Sequence, residues 1–218
     1  MTTAEGWTAA VRDRLAPGRL LPLGTATDGA WITERTVREV LDGAGGAVRG
    51  VVPGILRIGT ADEDQETGPY AAPGSVRITA AFAAVAGRPL PELSDALRAA
   101  LLAAAEGGIG LVVAAVDLRV TELLDAEPPA ATPAEPRPGR TSPATDDPLA
   151  LVALGVPGVA GVTDALGPPV RRNEDGVRLE LAVTAGRRPL DVARSVRTAV
   201  TAAAPEGTAV TVVVSELR

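Results

Sequence analysis

Apolar and polar residues follow the same pattern in two separate parts of the chain. Residues 86–101 read AGRPLPELSDALRAAL, and residues 185–200 read AGRRPLDVARSVRTAV. In both, a polar corner precedes apolar residues three or four positions apart, a spacing typical of an amphipathic helix. Proline fixes φ ahead of a helix and an acid favours its first turn, so we interpret Arg-Pro-Leu as one structural joint that occurs twice. The predicted buried stripes are Leu90, Leu93, Leu97, Leu101 and Ala104 in the first helix, and Leu190, Val192, Val196, Val200 and Ala203 in the second.

Strands are predicted on both sides of these helices. Alternation of apolar and polar positions over 75–83 and 176–184 predicts a strand with one buried face before each corner. Similar alternation over 116–123 and 210–217 predicts a closing strand after each helix. The buried positions predicted before the corners are Val76, Ile78, Ala80 and Phe82, and Val177, Leu179, Leu181 and Val183.

Each half of the chain also begins with a helix. The first is predicted at 32–44 with Thr33 as its N-cap, and the second, which is shorter, at 147–156. A Pro-Gly turn follows each helix and predicts a first strand, at about 55–60 and 159–172. The order helix, strand, strand, helix, strand therefore occurs twice.

This order predicts an α+β fold of two repeats, each a small three-stranded sheet covered by helices. Between the repeats, a segment rich in Pro, Ala and Thr has no apolar periodicity, which is typical of a linker. Ahead of them, Trp7, Val11 and Leu15 lie four positions apart and predict a helix. The predicted organisation is an N-terminal helical extension at 1–30, a first repeat at 31–125, a Pro/Ala-rich linker at 126–147 and a second repeat at 148–218.

The composition excludes most kinds of enzyme. The 218 residues include no Cys and no His, and all 21 basic residues are Arg. Disulfides, the usual zinc sites, thiol nucleophiles, imidazole bases and lysine Schiff bases are therefore absent. The formal net charge of -6 argues against binding the phosphate backbone of nucleic acids. We predict a protein that is not an enzyme and that holds no metal or cofactor.

Three motifs that resemble functional sites are better explained by structure. GAGGAVRG at 43–50 follows a predicted helix, whereas a phosphate-binding glycine loop follows a strand. The acidic run from Asp62 to Glu66 lacks the ligand spacing of a calcium-binding loop and is interpreted as solvated. The apolar run at 99–116 is interrupted by Glu106 and two glycines, which favours a helix end, a turn and a buried strand over a membrane span.

Arginines of the second repeat are the candidate interaction residues. They occur in two pairs near predicted strand ends, and guanidinium groups suit an acidic partner or lipid headgroups. Acidic residues nearby in sequence would offset their charge, so an ordinary solvated surface is the alternative. The candidate patch consists of Arg171, Arg172, Arg187 and Arg188.

The order of elements, together with a V-P-G-V turn and a corner followed by Pro-Glu-Leu, resembles the alkaline shock protein family of the bacterial envelope stress response. The resemblance covers about 32–124 and 147–218, as two divergent copies. In the second copy Asp191 replaces the Pro-Glu that opens the helix. The matching residues are Gly87, Leu90, Pro91, Glu92, Leu93, Val116, Leu118 and Val120 in the first copy, and Pro157, Gly158, Val159, Gly186, Leu190, Val192 and Ala193 in the second.

The resemblance implies a soluble cytoplasmic protein that acts through protein contacts, in some members near the membrane through a membrane-embedded partner. The family has no agreed catalytic residues to carry over. Our leading hypothesis is a non-enzymatic protein-interaction or scaffold protein linked to the envelope stress response, which presents sheet edges or helix faces to itself or to a protein partner. A small-molecule sensor that holds a ligand between the repeats is the alternative, and a carboxylate-based hydrolase is a third hypothesis.

Overall fold

The computed structural model describes residues 18–60, 75–126, 142–174 and 176–218. These residues form a mixed α+β fold with four α-helices and two sheets, one of six strands and one of three. In chain order the elements are β1 (Leu20–Leu23), a 3-10 turn (Ala26–Asp28), β2 (Ala30–Thr33), α1 (Glu34–Gly46), β3 (Val51–Thr60), β4 (Val76–Val85), α2 (Leu90–Leu102), a π-helical segment (Ala103–Ile109), β5 (Val113–Leu124), α3 (Pro148–Leu154), β6 (Val159–Val162), β7 (Val170–Asn173), β8 (Gly176–Val183), α4 (Pro189–Ala203) and β9 (Val210–Leu217).

Local signals account for the positions of the helices. Thr33 caps α1 as predicted, since its side-chain oxygen accepts a hydrogen bond from the backbone N–H of Thr36 at 3.4 Å. Helix α1 begins at Glu34 rather than at 32 because Ile32 and Thr33 pair with β1. The apolar run at 99–116 consists of the end of α2, the π-helical segment, a turn and the start of β5, so the predicted order of elements is confirmed. The strand was predicted to be buried, which is wrong, because every residue of β5 is partly or fully exposed. Within the described ranges, every helix falls short of the length and apolarity that a bilayer span requires.

The three-stranded sheet has β4 at its centre. Strand β3 pairs with β4 in the antiparallel direction, and β5 pairs with it in the parallel direction. The alternation predicted for β4 is confirmed, because Val76, Ile78, Ala80 and Phe82 are all buried. This sheet therefore turns one face to the core and leaves the other to solvent.

The other sheet has six strands, so the prediction of a second three-stranded sheet is wrong. Its order is β1-β2-β9-β8-β6, and β7 also pairs with β8. Strand β8 is antiparallel to β6 and β7 and parallel to β9, and β9 is parallel to β2 on its other side. The hairpin of β1 and β2 satisfies backbone groups that β9 would expose at the edge of a three-stranded sheet.

The single strand predicted at 159–172 is also wrong. That range contains two strands, β6 and β7, which are separated by residues 163–169 and both pair with β8. The separating residues include Pro168 and Pro169, which have no backbone N–H to donate to a neighbouring strand. A continuous ladder through this range would therefore lack donors.

The first strand of the hairpin, β1, lies in the range predicted as a helical extension, 1–30, and β2 begins at the last residue of that range. Trp7, Val11 and Leu15, on which the predicted helix depends, lie outside the described residues, as does most of the predicted linker at 126–147. In the described part of the extension, Leu21 and Leu23 are fully buried in β1. This segment therefore contributes to the core of the six-stranded sheet.

One continuous hydrophobic core connects both sheets. Leu190 is buried as predicted and packs closely on Gly110, where an added Cβ would lie 2.4 Å from the Leu190 Cβ. Leu90 is 37% exposed and Ala203 is exposed, so the predicted ends of the stripes are wrong. Both lie at helix ends, at the margin of the packed face. The central stripe residues Leu93, Leu97, Leu101, Val192, Val196 and Val200 are all buried.

Candidate functional site

The four arginines of the candidate patch do not come together. Arg171 and Arg172 lie in β7, beside the start of β8, whereas Arg187 and Arg188 lie in the corner between the end of β8 and α4. At about 3.3 Å per residue, the length of β8 separates the two pairs by roughly 20 Å. The structure therefore contains two separate arginine pairs.

Arg172 links β7 to the start of α3 through a bidentate ion pair. Its guanidinium group donates to both carboxylate oxygens of Asp147, at 2.6 and 3.1 Å. Asp147 also caps α3 by accepting a hydrogen bond from the Leu149 N–H at 2.9 Å. The hydrogen bond from Arg172, followed by these backbone bonds, holds the pKa of Asp147 below its usual range against the opposing effect of burial. Arg172 also lines a groove of about 550 Å³, but its charge is already paired.

Arg188 has a similar local role at the other end of β8. It donates to the Asp191 carboxylate at 3.1 Å and to the Glu106 carbonyl oxygen at 2.9 Å, which joins α4 to the π-helical segment. Among the described residues, the guanidinium groups of Arg171 and Arg187 have no hydrogen-bond partner. An interaction role for these two stays a prediction.

Strand β5 is an open edge that sequence reasoning did not single out. The three-stranded sheet ends at β5, and no described strand pairs with its outer side. Val112, just before the strand, is 46% exposed, Val120 is 37% exposed and Leu123 is 65% exposed. An edge with exposed apolar side chains and free backbone groups is suited to pairing with another strand.

Charged residues alternate with the apolar residues of β5. The pairing with β4 places Val116, Leu118 and Val120 on the core side and Asp117 and Arg119 on the opposite face. Asp117 forms an exposed ion pair with Arg77 at 2.7 Å. Among the described residues, Arg119 has no such partner.

The opposite edge of the same sheet is covered. Arg19 and Arg38 donate to the carbonyl oxygens of Ile58 and Leu56, which belong to β3. Both arginines also pair with Glu34, at 3.3 Å and 2.7 Å respectively. These side chains occupy backbone acceptors that a second strand would otherwise use, so β3 is closed to pairing along this stretch.

A cleft of about 290 Å³ lies beside the covered edge and is rich in guanidinium groups. Arg57 projects from β3 and is exposed, and among the described residues it has no ion-pair or hydrogen-bond partner. The cleft is lined by Arg19, Glu34, Arg38, Arg57, Ile58, Gly59, Arg77 and Thr79. Four cationic side chains converge here in a chain whose net charge is negative.

A partly buried carboxylate links the hairpin to the second half of the chain. Asp28 is 11% exposed and accepts hydrogen bonds from Arg194 of α4 at 2.7 and 3.1 Å. The Thr25 N–H donates to the same carboxylate at 2.7 Å. The Arg194 hydrogen bond is the main reason that the pKa of Asp28 lies well below its usual range, and it outweighs desolvation.

A fully buried carboxylate holds residues 163–169 over the outer face of the six-stranded sheet. Glu180 is fully buried, and it accepts hydrogen bonds from the Thr163 hydroxyl at 2.9 Å, the Ala165 N–H at 2.9 Å and the Leu166 N–H at 3.0 Å. The Thr163 hydroxyl also lies 2.6 Å from the Ser215 hydroxyl. All three side chains are shielded from solvent, so they form a structural network rather than a reactive surface.

Comparison with known proteins gives no information about function, so the proposals below depend on the geometry of the described residues. No protein-family model, curated protein or solved structure matches the chain. Across the described ranges, no three His, Cys, Asp or Glu side chains are grouped as a metal site would require. The features best suited to hold a partner or a ligand are the open β5 edge and the arginine cleft.

Proposed function

We propose that the protein is a non-enzymatic protein-interaction module that self-associates through β5. Two copies would join their three-stranded sheets, edge to edge, into one sheet that crosses the interface. The observation that carries this proposal is that β5 combines an edge to which no described strand pairs with a self-complementary order of side chains.

The self-complementarity is centred on Leu118. A two-fold axis between two copies makes adjacent edge strands antiparallel and places the same surface of each copy in the interface. With Leu118 of one copy opposite Leu118 of the other, Asp117 lies opposite Arg119 and Arg119 opposite Asp117. Val116 then lies opposite Val120 on the core side. Each cross-strand pair of this kind contributes about 0.2–1 kcal/mol.

The backbone of β5 is regular where this pairing requires it. Residues from Ala115 to Val120 pair in sequence with Arg77 to Phe82 of β4, and the ladder shifts only before Ala115 and after Val120. A regular stretch can present consecutive donors and acceptors to a second strand. The exposed apolar side chains of Val120 and Leu123 would lose solvent contact in the same step.

We also propose that the two halves are divergent copies resembling the alkaline shock proteins. In support, β4 and β8 each lie between an antiparallel and a parallel neighbour, and each leads through a corner into a helix. The glycines of the two corners, Gly87 and Gly186, both have positive φ values, of 98° and 79°. The cytoplasmic location, the link to the envelope stress response and a membrane-embedded partner stay predictions of the resemblance.

Charge reversal on β5 tests self-association directly. Arg119→Asp sets two acidic residues against each other across the interface, and Asp117→Arg sets two basic residues against each other. We expect each change to weaken the dimer about tenfold, because two attractive pairs become repulsive. Sedimentation equilibrium of the unmodified protein and of each variant measures this, with Arg49→Asp as the control on an exposed arginine away from β5.

Mixing the two variants gives the sharper result. In a mixed dimer both cross-strand pairs again join opposite charges, so the mixture should recover an affinity close to that of the unmodified chain. A monomeric unmodified protein at all concentrations tested would overturn the proposal. So would a dimer that neither charge reversal weakens.

The arginine cleft favours a second candidate function, a sensor of a small ligand. Arg19 directly precedes β1 of the six-stranded sheet, whereas Arg57 and Arg77 belong to the three-stranded sheet. A ligand held by all three would contact both sheets.

A further inference from the structure

We propose that Arg171 and Arg178 together bind a carboxylate side chain of an acidic segment in a protein partner. Both arginines belong to the six-stranded sheet, so the proposal does not depend on self-association through β5. It rests on two like charges that face each other, on a buried donor of Arg178 that has no acceptor, and on a negative charge beside them.

The two arginines lie directly opposite each other in the antiparallel ladder of β7 and β8. Residues in this relation point to the same face with Cβ atoms about 4.5–5.5 Å apart, and like charges there are destabilising. Val177, opposite the adjoining Arg172, faces the hydrophobic core, which places the two arginines on the outer face. Local choices that reduce stability are typical of functional sites, and an anion between the two guanidinium groups removes the repulsion.

Most of the hydrogen-bonding capacity of Arg178 is unused. Its Nη2 donates to the Leu166 carbonyl oxygen at 3.3 Å, which holds the guanidinium group against residues 163–169. Its Nε is shielded from solvent and has no acceptor in the part of the chain that the structure describes. Native proteins keep such buried donors mainly where strain, catalysis or a bound ion explains them. A carboxylate drawn to Arg171 gives this guanidinium group an acceptor towards which it can turn.

A hydroxyl group extends the row of donors across a third strand. Thr211 of β9 pairs with Arg178 in the parallel ladder and lies on the same face. Strands are about 4.8 Å apart, so the three side chains span roughly 10 Å. Arg171 is exposed at the margin of the sheet, and Arg178 and Thr211 are half-buried. This open surface suits a side chain projecting from a protein better than a small free acid, which binds in an enclosing pocket.

A negative charge beside the two arginines favours a monovalent anion. Glu180 follows Arg178 by two positions, so its carboxylate lies on the same face of β8, about 6.6 Å along the strand. Its oxygens already accept hydrogen bonds from the backbone of Ala165 and Leu166. At this distance it disfavours a dianion such as a phosphate monoester. A carboxylate carries one charge and accepts the planar fork of a guanidinium group through both oxygens.

A peptide titration of the full chain tests the site. The probe is the blocked peptide Gly-Glu-Glu-Gly, the control is Gly-Gln-Gln-Gly, and the readout is the NMR signals of the arginine Nε–H groups. At an ionic strength of about 0.15 M, set with sodium chloride, long-range repulsion by the acidic chain is screened. We expect saturable shifts of the Arg171 and Arg178 signals with the acidic peptide alone. Equal shifts with both peptides would overturn the proposal.

Two further anions identify the source of the negative charge. Sodium acetate should bind about tenfold more weakly than the acidic peptide, because it brings no backbone groups to the margin of the sheet. Inorganic phosphate should also bind more weakly, because of Glu180. Acetate or phosphate binding as tight as that of the peptide would overturn the assignment to an acidic protein segment.

Arg171→Gln is the informative variant, because the exposed side chain makes no hydrogen bond or ion pair among the described residues. We expect about tenfold weaker peptide binding. Without peptide, the thermal midpoint should rise by up to about 4 °C, since one of two opposed like charges is removed. Arg187→Gln, which removes an exposed arginine at the other end of β8, should change neither quantity. A lower midpoint in Arg171→Gln, or equal losses of binding in the two variants, would overturn the proposal.

Asp175 lies between β7 and β8 in the sequence and outside the described residues, so its carboxylate is tested separately. Asp175→Asn should leave peptide binding unchanged. A gain of about tenfold or more would mean that Asp175 competes for the two arginines from within the chain. That result would overturn the assignment to a protein partner.

Discussion

Strands β5 and β9 hold corresponding places in the two sheets, but their surroundings differ. Each runs parallel to a preceding strand, β4 or β8, after an intervening helix. Strand β9 has β2 on its other side, and its residues from Val212 to Val214 are fully buried. Strand β5 has no described neighbour on that side, and Leu123 is 65% exposed.

This difference shows that the alternation of apolar and polar residues within a closing strand does not determine its position in the sheet. A closing strand is central when another strand pairs with its outer side, and it is an edge strand when none does. The hairpin of β1 and β2 adds to β9 only, and residues 163–169 cover only the outer face of that sheet. The first sheet receives neither. The first sheet therefore keeps, at β5, an edge to which no described strand pairs.

The largest expected effect comes from weakening the neighbour of β9. Ile32 is fully buried in β2, and Ile32→Ala should lower the free energy of unfolding by about 2–5 kcal/mol. The matched change on the open edge, Val120→Ala, should cost about 0.5 kcal/mol or less in the Arg119→Asp background, where β5 is unpaired. Urea unfolding followed by circular dichroism measures both. Similar losses for the two variants would contradict the distinction between centre and edge.

The outer faces of the two sheets offer the next comparison. Glu180→Gln replaces a carboxylate that accepts three hydrogen bonds with an amide that points an N–H₂ group at a donor, and we expect a loss of about 1–3 kcal/mol in the free energy of unfolding. Glu122→Gln, on the exposed outer face of the three-stranded sheet, should change it by about 0.5 kcal/mol or less. Denaturant midpoints at neutral pH compare the two. An equal response would mean that residues 163–169 do not depend on Glu180.

The smallest expected effect concerns the clamp between the hairpin and α4. Asp28→Asn should lower the free energy of unfolding by about 1–2 kcal/mol at neutral pH, since it removes charge-assisted hydrogen bonds with Arg194. Because the pKa of Asp28 is lower in the folded state, its stabilisation is present above the unfolded pKa of about 3.9 and is lost as the pH falls towards the folded value. The difference between the unmodified protein and the variant should therefore shrink below about pH 4.

Thermal unfolding as a function of pH measures this dependence. Asp95→Asn, which alters an exposed pair with Arg98, is the control and should shift stability by about 0.5 kcal/mol or less. A difference between Asp28→Asn and the unmodified protein that does not change with pH would show that the carboxylate charge has no part in the clamp.

Local pattern was sufficient to predict much of the secondary structure. The buried face of β4, the N-cap Thr33 and the centres of the helical stripes all follow from residues two to four positions apart. The hairpin could not be predicted in this way, because β1 and β2 have only four residues each and β1 contains Pro22. Their alternation is too short to identify them, and the partner of β2 lies at the other end of the chain.

The sites were harder to predict than the elements, since they depend on contacts between distant residues. The sequence predicted that Arg172 and Arg188 belong to an exposed interaction patch. In the structure Arg172 donates to the Asp147 carboxylate, and Arg188 donates to the Glu106 carbonyl oxygen. One signal for the open edge was present: β5 carries Asp117 and Arg119 at its centre, whereas Thr211 to Ser215 of β9 include no charge. Charges at mid-strand positions are typical of an edge.

The pairing of β2 with β9 also sets an order on folding during synthesis. Thr33 and Ser215, which form a hydrogen bond, are 182 positions apart. At about 5–20 residues per second, a ribosome finishes β9 roughly 10–40 s after the hairpin has been made. During that interval the buried side chains of Leu21, Leu23 and Ile32 have no native partner strand beyond the hairpin itself. The nascent chain therefore passes through a stage in which its apolar hairpin is a natural substrate for chaperones.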